Sequence, residues 1–486
     1  MPALPIIGGG DNTVISQYLS KRTPSSKTDA LSMLCIFMAT LVLCCMLTAI
    51  PGYFSSDEML FLPPVSLMKA SARFAVSDMT TFFHPGTLFH SLIHAQFFRP
   101  TGVAVLMGVM RHEELPFIPH LVMVVLHGMN CAWLYCLFRN ESRRLALVAA
   151  LLFAVSPLAM YAVGWVAAIF DLLVTMFALL TVLSVRSFVR TGRSTRLLAV
   201  FIFTLLALCS KETAVVMPAV AVLGLWPAGY RTSPGRAWVA TGTIVFTWLA
   251  FMLFRSSALL DAAAGSSGGY KAGFGPNVID NLRVYVGYPF APGIFDVGNI
   301  VFLSVAALAC SIVALALVFF LTAVAAGWRR SLSLIVIFLL PLLPVLILTK
   351  HETQYLYASS IGLSLALASC LVHGGRVVRL GAVILGALLV IHAAREQDYM
   401  YQSGACQTRL ISDLDTYAHF SATSDGPPAQ PVILPAGDAP WWVLANVAFH
   451  WDFWNKSAIP GITDSASKAN LIMTKSCHLV PNSPSG

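Results

Sequence analysis

Apolar runs long enough to cross a bilayer recur along most of the chain. A hydrocarbon core of about 30 Å takes roughly 20 residues of α-helix. Runs of that kind lie near residues 29–50, 117–138, 144–162, 164–185, 197–212, 213–229, 237–254, 299–327, 332–349, 355–372 and 380–394. The two runs near 197–229 are interrupted only by Ser210, Lys211 and Glu212, which read as the turn of a helical hairpin. In lipid a segment must satisfy its own backbone hydrogen bonds, and a helix does so within itself. The expectation is an all-α polytopic membrane protein with about 11 transmembrane helices. Composition agrees: only 11% of the residues are charged, against about 25% in soluble domains.

The arginines set the expected orientation. Arg139, Arg143, Arg144, Arg186, Arg190, Arg193, Arg196, Arg231, Arg236, Arg329, Arg330, Arg376 and Arg379 fall in short loops whose sole acid is Glu141. Positive residues in short loops mark the cytoplasmic side. With all 11 of these runs crossing as helices, every one of these loops falls there, together with residues 1–28, the tail that carries Lys21, Arg22 and Lys27. The net charge of +8 is thereby a topology signal, and no nucleic-acid partner is expected. The opposite side receives a first loop, 51–116, a second, 255–298, and a C-terminal region, 395–486, leaving 29–394 as the membrane domain. Segments 59–76 and 86–110 mix apolar runs with isolated polar residues and are expected to lie as amphipathic helices on the outer surface. Eight of the ten cysteines sit in apolar segments; Cys406 and Cys477 lie in polar sequence, where an oxidising compartment permits a disulfide.

The groups that carry chemistry fall on the outer side. Asp57 and Glu58 follow the first helix in Ser55-Ser56-Asp57-Glu58. They are either solvated loop acids, or a general base for an acceptor hydroxyl with the means to hold a divalent cation such as Mg or Mn. Arg99 either grips phosphate oxygens through two parallel hydrogen bonds or snorkels to lipid phosphate. Asp171 lies in a membrane run, where an acid is costly and usually functional; the alternative is pairing with a neighbouring helix. It is expected about two turns from the helix's outer end. Lys211 suits a phosphate, and Lys211 and Glu212, being adjacent, are expected to serve different partners. His120, His127 and Asn130 share a helix face, as substrate contacts or as satisfied core groups. His90 and His94 have the spacing of a metal pair without a third ligand. Glu352 and Tyr355 open the tenth helix at its outer end, where tyrosines also serve as interfacial anchors.

Several of these residues sit in recognisable strings. Phe98-Arg99-Pro100, Pro119-His120-Leu121-Val122, His127 and Asn130 come first. Leu152-Phe153-Ala154-Val155-Ser156-Pro157, Trp165 through Asp171-Leu172-Leu173, and Ser210-Lys211-Glu212 with Pro218 follow. Glu352-Thr353-Gln354-Tyr355-Leu356-Tyr357 with Ser360-Ile361-Gly362 closes the series. The ordered set, from about 53 to 365, resembles the GT-C membrane glycosyltransferases, in the protein O-mannosyltransferase-like branch and its bacterial cousins. Where the family pattern has a histidine before proline this chain has Ser156; the following acid is Tyr161, and the basic pair before Asp171 is Ile169-Phe170.

The resemblance implies a GT-C-like fold and an inverting transfer of a sugar from a polyprenyl-phosphate donor. The acceptor is a protein, lipid or polysaccharide hydroxyl at the extracytoplasmic face of a membrane, a bacterial inner membrane by this reading. Asp57 takes the place of the family's base, with Glu58 beside it. Arg99 and Lys211 would bind phosphate, and His120, His127, Asn130, Asp171, Glu212, Glu352 and Tyr355 would line or support the substrate site. The competing classes are a transporter or lipid-glycan flippase, which would place polar sites near the bilayer midplane, and a surface-polysaccharide polymerase or ligase.

Overall fold

The computed structural model describes residues 26–52, 99–110, 115–220, 233–255, 275–291, 304–348, 351–422 and 461–482, with shorter stretches near 293–302 and 431–447. Asp57, Glu58, His90, His94 and the Trp441–Trp454 region's tryptophans lie outside the described residues.

The described chain is mostly helical. Helices α1 (Ser26–Leu43) and α2 (Cys45–Thr48) lead into the first loop, and α3 (Pro100–Met110) leaves it. Then come α4 (Phe117–Phe138), α5 (Arg143–Ala154), α6 (Pro157–Gly164), α7 (Ile169–Thr191), α8 (Ser194–Leu208) and α9 (Pro234–Phe254). The second loop carries α10 (Pro276–Gly287) and a hairpin of β1 (Gly293–Asp296) against β2 (Asn299–Phe302). The chain returns as α11 (Val305–Ala326), α12 (Trp328–Leu339), α13 (Ser360–His373) and α14 (Arg376–Ala422).

Among the described residues five helices are long and apolar enough to cross a membrane, six when α5 and α6 count as one span bent by 52°. The protein is therefore an integral membrane protein with several candidate spans; 11 are not reached among these residues. Prolines account for part of the difference. Pro157 cannot donate a helical hydrogen bond, so the run 144–162 breaks after Ala154 and restarts at Pro157. Pro341 and Pro344 likewise stop α12 at Leu339 and leave a 3-10 turn and an unwound stretch ahead of Glu352. The run 164–185 opens with the 3-10 turn Val166–Ala168, which moves Asp171 into the first turn of α7 rather than two turns inside it.

The core sits among α4, α5, α7 and α13, where Met123, Cys131, Phe153, Leu172 and Leu365 are buried. Glycine permits a close crossing: a Cβ on Gly362 of α13 would lie 2.7 Å from the Phe338 backbone nitrogen and 2.9 Å from the Leu334 carbonyl oxygen of α12.

Ion pairs gather the arginine-bearing loops at one end. Asp29 of α1 takes Arg139 at 3.2 Å and Arg143 at 3.4 Å. Glu141 takes Arg186 at 3.7 Å and Arg330 at 3.8 Å. From that end α14 runs for 47 residues, about 70 Å, more than twice the hydrocarbon thickness. Its far part packs on a four-stranded sheet ordered β4 (Gly461–Ile462), β3 (Val432–Pro435), β5 (Leu471–Met473), β6 (Leu479–Pro481). Cys406 of α14 is disulfide-bonded to Cys477 beside that sheet, with Cα atoms 5.1 Å apart.

Candidate functional site

The end opposite the arginine loops holds two adjoining ion pairs. Arg99 immediately precedes α3, whose Thr101 amide donates to the Cys209 carbonyl at 3.0 Å, so the helix start is tied to the turn after α8. Gly102 packs directly on the Phe170 ring, and the Arg99 guanidinium stacks 5.0 Å over that ring. Its fork engages Glu212: Nε lies 2.9 Å and Nη2 2.7 Å from Oε2. One residue earlier, the extended backbone at Lys211 turns its side chain the other way. Lys211 Nζ donates to Asp171 Oδ2 at 2.6 Å and lies 4.5 Å over the Tyr355 ring. Adjacent residues thus serve separate partners.

The two pairs differ in access. The Lys211 and Asp171 side chains are 6% and 8% exposed, whereas Glu212 is 39% exposed; the inner pair is sealed and the outer pair open. Burial pushes the Lys211 ammonium below the ordinary lysine range, and the Asp171 carboxylate opposes that shift. Burial also disfavours the Arg99 charge, but the Glu212 carboxylate outweighs it and holds the guanidinium above its ordinary range.

Glu352 stands within the electrostatic field of Lys211. Its carboxylate accepts from the Gln354 amide, and the 3-10 turn Thr353–Leu356 sets Tyr355 against Lys211. Site acids and cations from four separate segments therefore meet: Arg99, Asp171, Lys211 with Glu212, and Glu352.

The α4 residues form a layer behind this group. Asn130 donates to the Tyr357 hydroxyl at 2.9 Å and to the Leu172 carbonyl at 3.1 Å, directly after Asp171. With Asn130 donating to it, the Tyr357 hydroxyl donates a hydrogen bond to His127 Nδ1, 2.8 Å away. His127 Nε2 faces the Ala154 carbonyl at 3.4 Å. His120 Nε2 donates to the Gly52 carbonyl at 3.0 Å, anchoring the chain just before the first long loop. All three side chains are buried.

Arg255, at the C-terminal end of α9, escaped the reading by sequence although it lies in the field of Glu212. The available signal was an arginine ending an apolar run on the side where short loops are otherwise poor in positive charge.

Below the ion pairs opens a cavity of about 140 Å³. Asp171 and Tyr355 line one end and Arg186 the other; between them the walls are apolar, with Val174, Met217, Pro341 and Leu365. Arg186 follows Asp171 by about four helical turns, roughly 22 Å along α7. Among the described residues no group of three or more His, Cys, Asp or Glu side chains gathers as for a metal ion.

A charged head site over a long apolar groove suits a substrate with an anionic head and a hydrocarbon tail, the kind of donor that membrane glycosyltransferases use. Residues 104–257, about a third of the chain, match the family model described as dolichyl-phosphate-mannose-protein mannosyltransferase. The protein is a membrane glycosyltransferase of the GT-C class. Over that stretch the chain is similar to the dolichyl-phosphate-mannose-protein mannosyltransferases. No curated protein matches the chain.

Proposed function

We propose that the protein transfers a sugar from a polyprenyl-phosphate carrier to a hydroxyl at the extracytoplasmic face, with inversion at the anomeric carbon. The observation that carries this reading is the pair of cations, Arg99 and Lys211, with Lys211 bonded to the Asp171 that lines one end of the apolar cavity. The donor's phosphate exchanges the carboxylates of Glu212 and Asp171 for its own oxygens, and its prenyl chain lies along α7. The family match supports a lipid-phosphate donor.

In the reaction, Asp57 accepts the proton of the acceptor hydroxyl. The acceptor oxygen bonds to the anomeric carbon from the face opposite the phosphate, and the bond from that carbon to the phosphate oxygen breaks. Polyprenyl phosphate departs with the electron pair, and its added negative charge is stabilised by Arg99 and Lys211, with Arg255 close by. Glu58 supports the base. Asp171 and Glu212 hold the cations in place between turnovers, while Asn130, His127 and Tyr357 keep the first turn of α7 fixed.

The same reading assigns the arginine-rich end to the cytoplasm and the full chain about 11 spans. Two observations favour this orientation: cytoplasmic arginine loops are the rule, and the Cys406–Cys477 disulfide, at the far end of α14, suits an oxidising compartment.

The test uses the full chain reconstituted in liposomes with a polyprenyl-phosphate hexose. Lys211→Ala and Arg99→Ala should each lower transfer by on the order of a hundredfold, as for loss of a transition-state charge contact. Asp57→Asn should abolish it. Normal transfer by Asp57→Asn removes the base assignment, and transport of the lipid without a new glycosidic bond removes the enzyme reading.

A further inference from the structure

The far end of the cavity carries a charge that a hydrocarbon tail does not call for. Arg186 lines that end, with Leu137 and Phe138 of α4 beside it. Its Nη1 donates to the Leu137 carbonyl, and its guanidinium stacks 5.6 Å over the Phe138 ring. An arginine in the wall of an apolar cavity is costly within a membrane and ordinarily serves a function.

The acids at this end are outnumbered. One carboxylate, Glu141, faces both Arg186 at 3.7 Å and Arg330 of α12 at 3.8 Å. Both separations exceed hydrogen-bond length, unlike the 2.7 and 2.6 Å of the pairs at the opposite end. Asp29 is likewise shared, between Arg139 and Arg143. Arg139 follows Phe138 directly, and its Nε is buried without a hydrogen bond among the described residues. Four guanidiniums thus stand against two carboxylates. The place is open to an incoming group, because the Arg330 side chain is 32% exposed.

We propose that the Arg186 end of the cavity binds an anionic phospholipid from the leaflet on that side. The phosphate bonds to the guanidiniums of Arg186 and Arg330 in place of Glu141, and one acyl chain lies in the cavity. Basic pockets between membrane helices suit anionic head groups in this way. The acyl chain of one leaflet spans about 15 Å, half of the hydrocarbon core. Starting at Arg186, it stops short of Asp171, which is roughly 22 Å away along α7. The ion pairs at the opposite end are left untouched. The donor's prenyl chain, on the glycosyl-transfer reading above, needs the same walls. Phospholipid and donor therefore compete, and the composition of the bilayer sets how readily the donor enters.

The experiment holds the full chain in nanodiscs of phosphatidylcholine with a minor share of phosphatidylglycerol and measures the lipid retained by native mass spectrometry. Wild type should prefer phosphatidylglycerol by roughly thirtyfold, as for two arginines near an anionic surface. Arg186→Gln and Arg330→Gln should each reduce that preference about fivefold. Arg193→Gln removes an equal charge from a loop at the same end and should leave the preference unchanged. Where Arg186→Gln does not insert stably, the partly exposed Arg330 decides the matter. Added sugarless polyprenyl phosphate should release the bound phosphatidylglycerol. No preference in wild type, equal losses for Arg193→Gln and Arg330→Gln, or release by soluble glycerol phosphate alone overturns the site. Polyprenyl phosphate that binds without releasing the phospholipid overturns the shared cavity. Polyprenyl phosphate that does not bind removes the donor reading instead, and the lipid preference then decides the site by itself.

Discussion

Lys211 and Asp171 show how little a single residue's chemistry reveals until its partner is known. From the sequence each is a costly charge in an apolar setting, with a reason to be there but no neighbour. In the fold they neutralise one another at 2.6 Å. Breaking a buried pair from one side leaves an uncompensated charge, which costs roughly 3–5 kcal/mol. Asp171→Asn should therefore lower stability on that scale in detergent unfolding, and Asp171→Asn combined with Lys211→Met should recover most of the loss. A single variant as stable as wild type would mean that the ammonium finds another partner. Most of the charged site residues were legible, because carboxylates and cations stand out in apolar sequence. The link from Tyr357 to His127 and Asn130 was not, because a tyrosine near the end of an apolar run is unremarkable until its neighbours are known.

At the scale of elements, hydrophobic length located the helices but not their interruptions. The run 144–162 is apolar throughout its membrane portion, yet Pro157 divides it into α5 and α6. The run 332–349 unwinds past Leu339, and that unwinding carries Glu352 to the site. Helix crossings were equally hidden. Gly362 allows α13 to touch the α12 backbone, and a methyl group there would fall 2.7 Å from the Phe338 nitrogen. Gly362→Ala should destabilise the protein by about 1–3 kcal/mol, the usual range for overpacking. Gly386→Ala, on α14 with nothing within 4 Å of the added carbon, should leave the melting temperature unchanged or raise it. Equal effects of the two would show that α12 moves away without cost.

For the whole molecule, polarity is the main feature: arginines and their ion pairs at one end, the candidate site and the disulfide-linked sheet at the other. Exposed positions at the two ends make this testable. In intact cells, a membrane-impermeant thiol reagent should label Asp464→Cys and spare Arg193→Cys until the membrane is opened. The reverse pattern would invert the proposed topology and move the active site to the cytoplasm. Reduction of Cys406–Cys477 should loosen the sheet region first, seen as faster proteolysis beyond residue 422 while the membrane helices stay intact.

The sequence by itself determined the class of molecule. Apolar length dictates helices in a bilayer, loop arginines mark one face, and an ordered set of short strings pointed to a glycosyltransferase family. Which cation met which carboxylate, where a run of apolar residues bent, and which helices crossed closely were decided only by the tertiary structure. The reason is physical: insertion into a membrane depends on the residues of one segment, whereas ion pairing, close helix crossings and unsatisfied hydrogen bonds depend on distances between segments far apart in the chain.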